Sequence, residues 1–246
     1  MKQPSDVADV LALLTRDPGR PRVTWYGIDE RIELSGAVLA NWVAKVTNLL
    51  VEEFDTGPGV RVELDLPAHW RTLVWALGIW RTGACVGADR TPGGANAAPV
   101  VVTDRPRAHP QATHLIAVAL PGLARRFDGD LPAGATDGAS AVMTYGDAIG
   151  WAPEVHPDRP ALESDGCTVS HAGLMAWAIA GSVAPPGARV LVPGTAGAVG
   201  LLRSVLGVLA RDGSVVVLEP SVAAQVATQP ARRDRLVASE RVTAQG

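Results

Sequence analysis

A chain of 246 residues with 47% hydrophobic and 19% charged side chains is long enough to bury a substantial core and too apolar to remain disordered. Its net charge of −3 supplies no basic field for nucleic acid, and no apolar run is long enough to span a bilayer. Acidic residues interrupt the N-terminal stretch MKQPSDVADVLALLTRDPGRP, so it does not read as a secretory leader, and a cytoplasmic setting is the default.

Residues 5–15 open with a candidate Ser5 cap and space Val7, Val10, Leu11 and Leu14 at helical intervals. Two short strands, Arg22 to Tyr26 and Glu30 to Leu34, flank a turn at Gly27. Ser35 then caps an amphipathic helix whose apolar face holds Leu39, Trp42, Val43, Val46, Leu49 and Leu50, and Thr56 to Gly59 stops it. Val60 to Leu66 alternates apolar and charged residues, as a strand with one wet face does. From His69 to Arg81 the pattern predicts a helix that is apolar nearly all round and so buried on more than one side.

Asp89 to Pro99 reads as a loop, with strands expected at Val100 to Thr103 and His114 to Leu120. Residues 121–140 are punctuated by Gly and Pro, Ala141 to Trp151 is expected as a short helix, and a Pro-rich connection covers 152–160. The rear part alternates helix (Ser170 to Val183), strand (Arg189 to Val192), helix (Gly197 to Arg211) and strand (Ser214 to Leu218), with a last helix at Arg232 to Ser239. Strands alternating with helices through short loops imply an α/β fold with a mixed, largely parallel sheet flanked by helices. The chain is expected as one domain over 1–246, with candidate lobes 1–160 and 161–246 joined by the Pro-rich segment.

Three counts limit the chemistry. Of 22 basic residues only Lys2 and Lys45 are lysines, so nothing past position 45 offers an ammonium to a phosphate or a Schiff base. Cys85 and Cys167 lie far apart without a metal-ligand pattern, and His69, His109, His114 and His156 lack metal spacing, so no metal is expected. No Gly-x-Ser-x-Gly elbow is present.

The segment from Leu34 to Ala84 combines a helix, Gly57-Pro58-Gly59-Val60-Arg61-Val62, a strand, Leu66-Pro67, and a helix ending in Arg81-Thr82-Gly83-Ala84. It resembles the N-terminal region of the AMP-dependent synthetase and ligase family: acyl-CoA synthetases, peptide-synthetase adenylation domains and luciferases. Pro99 to Asp104 is similar to the strand of the family that ends in Thr-Asp, and Ser170-His171 followed by Leu174 is similar to the Ser-His that follows its phosphate loop. Residues 189–218 and 234–243 resemble the elements that come next. The likeness runs in order along most of the chain and covers the front part of an adenylating domain.

The resemblance also locates a departure. Where the family carries a Ser/Thr/Gly-rich phosphate loop with a lysine, this chain has Ala161-Leu162-Glu163-Ser164-Asp165-Gly166-Cys167. Only Ser164 and Gly166 echo the loop, and Glu163 and Asp165 put negative charge where phosphate would lie. Two like charges about 4 Å apart repel by ~4 kcal/mol at a surface-like dielectric. The histidine of the family's next segment is also unfilled, at Val192-Pro193-Gly194-Thr195. A protein that does not adenylate, needs no cofactor and acts as a binding or scaffolding module, with a homodimer or a protein as partner, is the reading that follows. Ser164, Asp165, Gly166, Ser170 and His171 are the candidate ligand residues; the alternative role is a helix cap for Ser170 and first-turn packing for His171.

A second motif competes. Gly194-x-x-Gly197-x-x-Gly200 between a strand and a helix, with Glu219 ending the next strand, resembles the dinucleotide loop of medium-chain quinone reductases and would imply NAD(P). Its first spacing is not Gly-x-Gly, and tight helix–strand packing explains the same glycines.

Overall fold

The computed structural model describes residues 3–88 and 98–245, so most of the loop expected at Asp89 to Pro99 lies outside the described residues. Helix α1 (Val7–Leu14) is capped by Asp6, whose carboxylate accepts from the Asp9 amide at 2.8 Å, while the Ser5 hydroxyl donates to Asp9. The cap is thus one residue later than expected. Strands β1 (Pro21–Tyr26) and β2 (Arg31–Ser35) form an antiparallel hairpin closed by the Gly27 amide on the Glu30 carbonyl. The Ser35 hydroxyl accepts from the Val38 amide and opens α2 (Gly36–Phe54).

Next come β3 (Arg61–Asp65), α3 (Trp70–Arg81), β4 (Cys85–Gly87), β5 (Val100–Thr103), a 3₁₀ turn at Pro106–Ala108, β6 (His114–Ala117) and β7 (Thr136–Asp137). Every residue of α3 except Arg81 is buried, as its all-round apolar pattern predicts. The helix expected at Ala141 to Trp151 is displaced. Asp137 caps a short α4 (Gly138–Ala141), a 3₁₀ turn follows at Val142–Thr144, and extended Tyr145 ends it. Side chains of α2 explain why the rest stays irregular: Lys45 reaches the Tyr145 carbonyl and Asp147, and Asn48 bonds the Ala148 carbonyl and the Gly150 amide.

The rear of the chain supplies β8 (Pro160–Ser164), β9 (Cys167–Ser170), α5 (His171–Ala180), β10 (Arg189–Pro193), α6 (Gly197–Leu209), β11 (Ser214–Leu218), α7 (Pro220–Thr228), α8 (Pro230–Ser239) and β12 (Ala244–Gln245). Helix α7 was not anticipated, although Pro220 at its first position is a helix-start signal. The chain divides into two compact units. Unit 1 comprises residues up to Ala40, Pro67–Trp70 and the part from Met175 on; unit 2 comprises Asn41–Leu66 and Arg71–Leu174. The Pro-rich segment 152–160 lies inside unit 2.

Unit 1 holds a five-stranded sheet in the order β12-β10-β11-β1-β2, parallel except for β2. Leu191, Val216 and Leu218 of this sheet pack with Val222, Ala223 and Val226 of α7. Unit 2 holds a seven-stranded sheet in the order β7-β6-β5-β3-β4-β8-β9, parallel except for β9. Strand β5 is a continuous Val-rich run buried along its whole length, whereas β3 alternates buried and half-buried residues. Trp80 of α3 ties helix to sheet by donating its indole N–H to the Ala161 carbonyl at 2.8 Å. The α/β class and the mixed, largely parallel sheets agree with expectation. Among the described residues no helix is long and apolar enough to cross a membrane, and no group of three acidic, His or Cys side chains is placed to hold a metal ion.

Candidate functional site

The segment that stands where the family carries its phosphate loop is a β-hairpin in unit 2. Glu163 pairs with Thr168 and Ser164 with Cys167, leaving Asp165-Gly166 as the two turn residues. Gly166 has φ 89°, a left-handed conformation that favours glycine over any residue with a Cβ. A phosphate loop works by aiming several unspent backbone amides at one point. In this hairpin β8 is paired on both sides, with β9 and with β4, and the Glu163 carbonyl accepts from Ala88, while β9 is the edge strand and pairs with β8 alone. The Asp165 and Gly166 turn is exposed. Glu163 does have a cation nearby, since Arg61 Nε lies 3.9 Å away, but the same guanidinium is bound to Glu63.

Ser170 and His171 take up local structural contacts. The Ser170 hydroxyl accepts from the Gly173 amide at 3.2 Å, capping α5. His171 is buried, with Nε2 3.1 Å from the Gly83 carbonyl and its amide on the Arg159 carbonyl. Burial pushes the imidazole pKa down, against the pull of the Gly83 and Ala84 backbone. The ring is therefore a neutral donor to Gly83, and it fastens the start of α5 to the Arg81–Ala84 turn across 88 residues of sequence.

In unit 1 the glycine-rich motif forms the turn from β10 into α6. The Gly194 amide donates to Leu218, and a Cβ here would stand 2.4 Å from that carbonyl oxygen and 2.6 Å from the Ala68 Cβ. Gly197 starts the helix at φ 70°, and a Cβ on Gly200 would meet Ala196 at 2.6 Å. Glu219 ends β11 and turns to its own helix, accepting from the Ser221 hydroxyl at 3.1 Å. The topology around the turn is the one that a dinucleotide loop needs, because β10 is followed by β11 on one side and β12 on the other.

A third constellation escaped the sequence reading. At the carboxyl ends of β3 and β5 in unit 2, Asp65 and Thr103 are partners in register. Asp65 accepts from the Thr103 hydroxyl at 2.8 Å and from Arg105, and its other contact is His109 Nε2 at 2.8 Å. Burial alone would raise the Asp65 carboxyl, but the bonds from His109, Thr103 and Arg105 outweigh it and hold the group below its ordinary range. The neighbouring Asp104 behaves oppositely. Burial pushes it up, against its own backbone and the Arg105 charge. The only signal in the sequence is a polar Thr103-Asp104 pair closing an apolar strand. His109 was set aside for lack of metal spacing, whereas its partner is a carboxylate 44 residues away.

Comparison with known proteins places the chain. No family model matches it. It is 36% identical over 241 residues to a protein of Mycobacterium tuberculosis (strain ATCC 25618 / H37Rv) described as a TIGR03089 family protein, covering 94% of this chain and 93% of that one. Among solved structures, the acyl-CoA synthetase of Brucella canis superposes with a TM-score of 0.63 at 20% identity, over 87% of this chain and 46% of that chain. The chain thus spans about half the length of the synthetase it matches, and the two share an α/β fold of mixed, largely parallel sheets flanked by helices.

Proposed function

Because the chain belongs to the TIGR03089 family and has the fold of an acyl-CoA synthetase, we propose that it is a synthetase-like protein that does not adenylate and acts as a binding or scaffolding module. The observation that carries this reading is the β8–β9 hairpin. Pairing of β8 with β9 folds this stretch into a tight two-residue turn in place of a loop whose amides converge on one point, and Glu163 and Asp165 add negative charge. No lysine follows Lys45 to offset it. A triphosphate brought to this turn would meet repulsion on the order of 4 kcal/mol per close charge pair, enough to abolish a micromolar site within two such contacts. Incubation with ATP, pooled carboxylic acids and radiolabelled pyrophosphate is expected to give no label in ATP. Exchange above background overturns the reading.

The module's partner is a second copy or another protein, or else a small acyl or aryl ligand held without ATP chemistry. A thermal-shift series with acyl-CoAs, fatty acids and nucleotides separates these, since a pure scaffold shifts with none. A second reading, NAD(P) binding at Gly194, Gly197, Gly200 and Glu219, is favoured by one observation: this turn lies where the strand order of unit 1 reverses. NADPH fluorescence that stays unchanged on titration to millimolar cofactor removes it.

A further inference from the structure

The sheet of unit 1 ends on one side at β2, which among the described residues is bonded to β1 and to no other strand. The turn that closes the hairpin fixes which way the backbone of β2 faces. The Gly27 amide bonds the Glu30 carbonyl, and the register continues with Tyr26 opposite Arg31, Trp25 opposite Ile32 and Thr24 opposite Glu33. Antiparallel pairs alternate between those that exchange backbone bonds and those that do not. Ile32 is therefore bonded to Trp25, while Arg31 and Glu33 turn their N–H and C=O groups to the open side. At five residues β2 is the longest edge strand of the two sheets, since β7 and β12 have two residues each and β9 has four.

Such an edge is a template for another strand, and its charges decide which strand fits. Arg31-Ile32-Glu33 is complementary to itself when reversed. Laid antiparallel about Ile32, a second copy sets its Glu33 against Arg31, its Arg31 against Glu33, and Ile32 against Ile32. In that register the residues whose backbone groups are turned outward face each other, so both Arg31–Glu33 pairs close as hydrogen-bonded pairs. A slip of two residues in either direction puts Arg31 against Arg31 or Glu33 against Glu33, and like charges directly opposite are destabilising. Arg31 is already bound within its own chain to Glu33, Glu240 and Tyr26, so the second copy's Glu33 adds little attraction. Charge acts here by excluding the slipped registers. Backbone bonding and apolar contact hold the remaining one.

Apolar surface lies where that register needs it. Ile28 at the hairpin tip is 62% exposed, and Val38 in the first turn of α2 is 41% exposed. Pairing about Ile32 carries the tip of one copy toward the start of α2 in the other, bringing these two side chains together. Half-buried Ile32 meets its own counterpart at the centre. We propose that β2 is a self-association edge, through which two copies of the chain join their five-stranded sheets across a two-fold axis at Ile32. The contact is closed, because pairing uses up this edge in both copies. The inference deepens the scaffolding part of the proposed function by naming the partner, and it does not depend on loss of adenylation.

Sedimentation velocity on the full chain tests it. One strand pair buries less than a standard interface, so a monomer–dimer equilibrium with a midpoint on the order of 100 μM is expected. A monomer at every concentration up to about 1 mM overturns the proposal. Oxidative cross-linking reads the register, in a Cys167→Ser background that leaves only buried Cys85. Ile32 faces its counterpart in a non-hydrogen-bonded pair, whose Cα atoms lie about 4.5 Å apart and within disulfide reach. In oxidised glutathione, Ile32→Cys is expected to form a disulfide-linked dimer about tenfold faster than Asp29→Cys at the exposed tip. Equal rates overturn the proposal. Faster cross-linking of Thr168→Cys also overturns it, because the contact then belongs to the edge strand of unit 2. Glu33→Arg sets Arg against Arg in the same register and is expected to weaken association about tenfold. Unchanged association removes the charge argument and the proposal with it. If Ile32→Cys does not fold, wild-type sedimentation and Glu33→Arg still decide. Pyrophosphate exchange by a chain that dimerises would sink the non-adenylating reading alone.

Discussion

The strand order reverses at β10 in unit 1 and between β3 and β5 in unit 2, and the two places are furnished in opposite ways. In unit 1 the reversal at β10 is filled by backbone: Gly194 lies against the Leu218 carbonyl and Ala68, with no room for a side chain. Elsewhere in the unit, charge is gathered in a network where buried Glu240 binds Arg31, Arg189 and Tyr26. In unit 2 the reversal at β3 and β5 is furnished with charge: Asp65 is held by Thr103, Arg105 and His109, while Asp104 has its own backbone as donor and the Arg105 Nε 4.0 Å away. The same chemistry, a carboxylate with guanidinium and hydroxyl donors, thus serves as a staple when every lone pair is used.

This contrast breaks most readily at the staple. Glu240→Gln leaves two guanidinium groups facing a neutral amide and is expected to cost about 2–3 kcal/mol, allowing for the partial exposure of Arg31. The sign with pH follows from the Glu240 carboxyl, which the hydrogen bonds of Arg31, Tyr26 and Arg189 pull down to about 2 from 4.5 against the effect of burial. Its stabilisation is fully present above about pH 4.5 and is lost as pH falls toward 2. Urea melts at pH 7 and pH 3 should therefore differ more in the wild type than in the variant. Gly194→Ala forces a Cβ against backbone and should cost about 2 kcal/mol by the same melts, whether or not a nucleotide ever binds there. A loss of NADPH binding without loss of stability would instead make the turn a ligand loop.

Smaller effects sharpen the view of unit 2. Asp65→Asn weakens three contacts at a partly exposed site and should cost about 1–2 kcal/mol, read as a lower melting midpoint. Gly166→Ala meets no neighbouring atom and is strained only by its φ, so about 1 kcal/mol is expected. A cost near zero would mean that Asp165-Gly166 is not held as a tight hairpin turn in solution, which removes the main support for a non-adenylating protein.

Legibility followed the range of the forces involved. Helix α3 and strand β3 were readable because burial imposes its period on consecutive residues, as Trp70 to Trp80 and Val62 to Leu66 show. The β8–β9 hairpin has one local signal, the Asp165-Gly166 pair followed by the strand formers Thr168 and Val169. Helix α4 ends before Gly146 because Lys45 and Asn48, a hundred residues earlier in the chain, occupy the backbone groups that a longer helix would need. The Asp65 cluster joins residues 38 to 44 positions apart, and no spacing rule reaches that far.

By itself the sequence determined the α/β class, the order of most elements, and the shortage of lysine that shapes any phosphate chemistry, since composition and periodicity are local properties. Only the tertiary structure decided where the strand order reverses, which glycines are packed against backbone, and which carboxylate is satisfied and which is not. Those depend on register between distant strands, and register is fixed by the sheet as a whole.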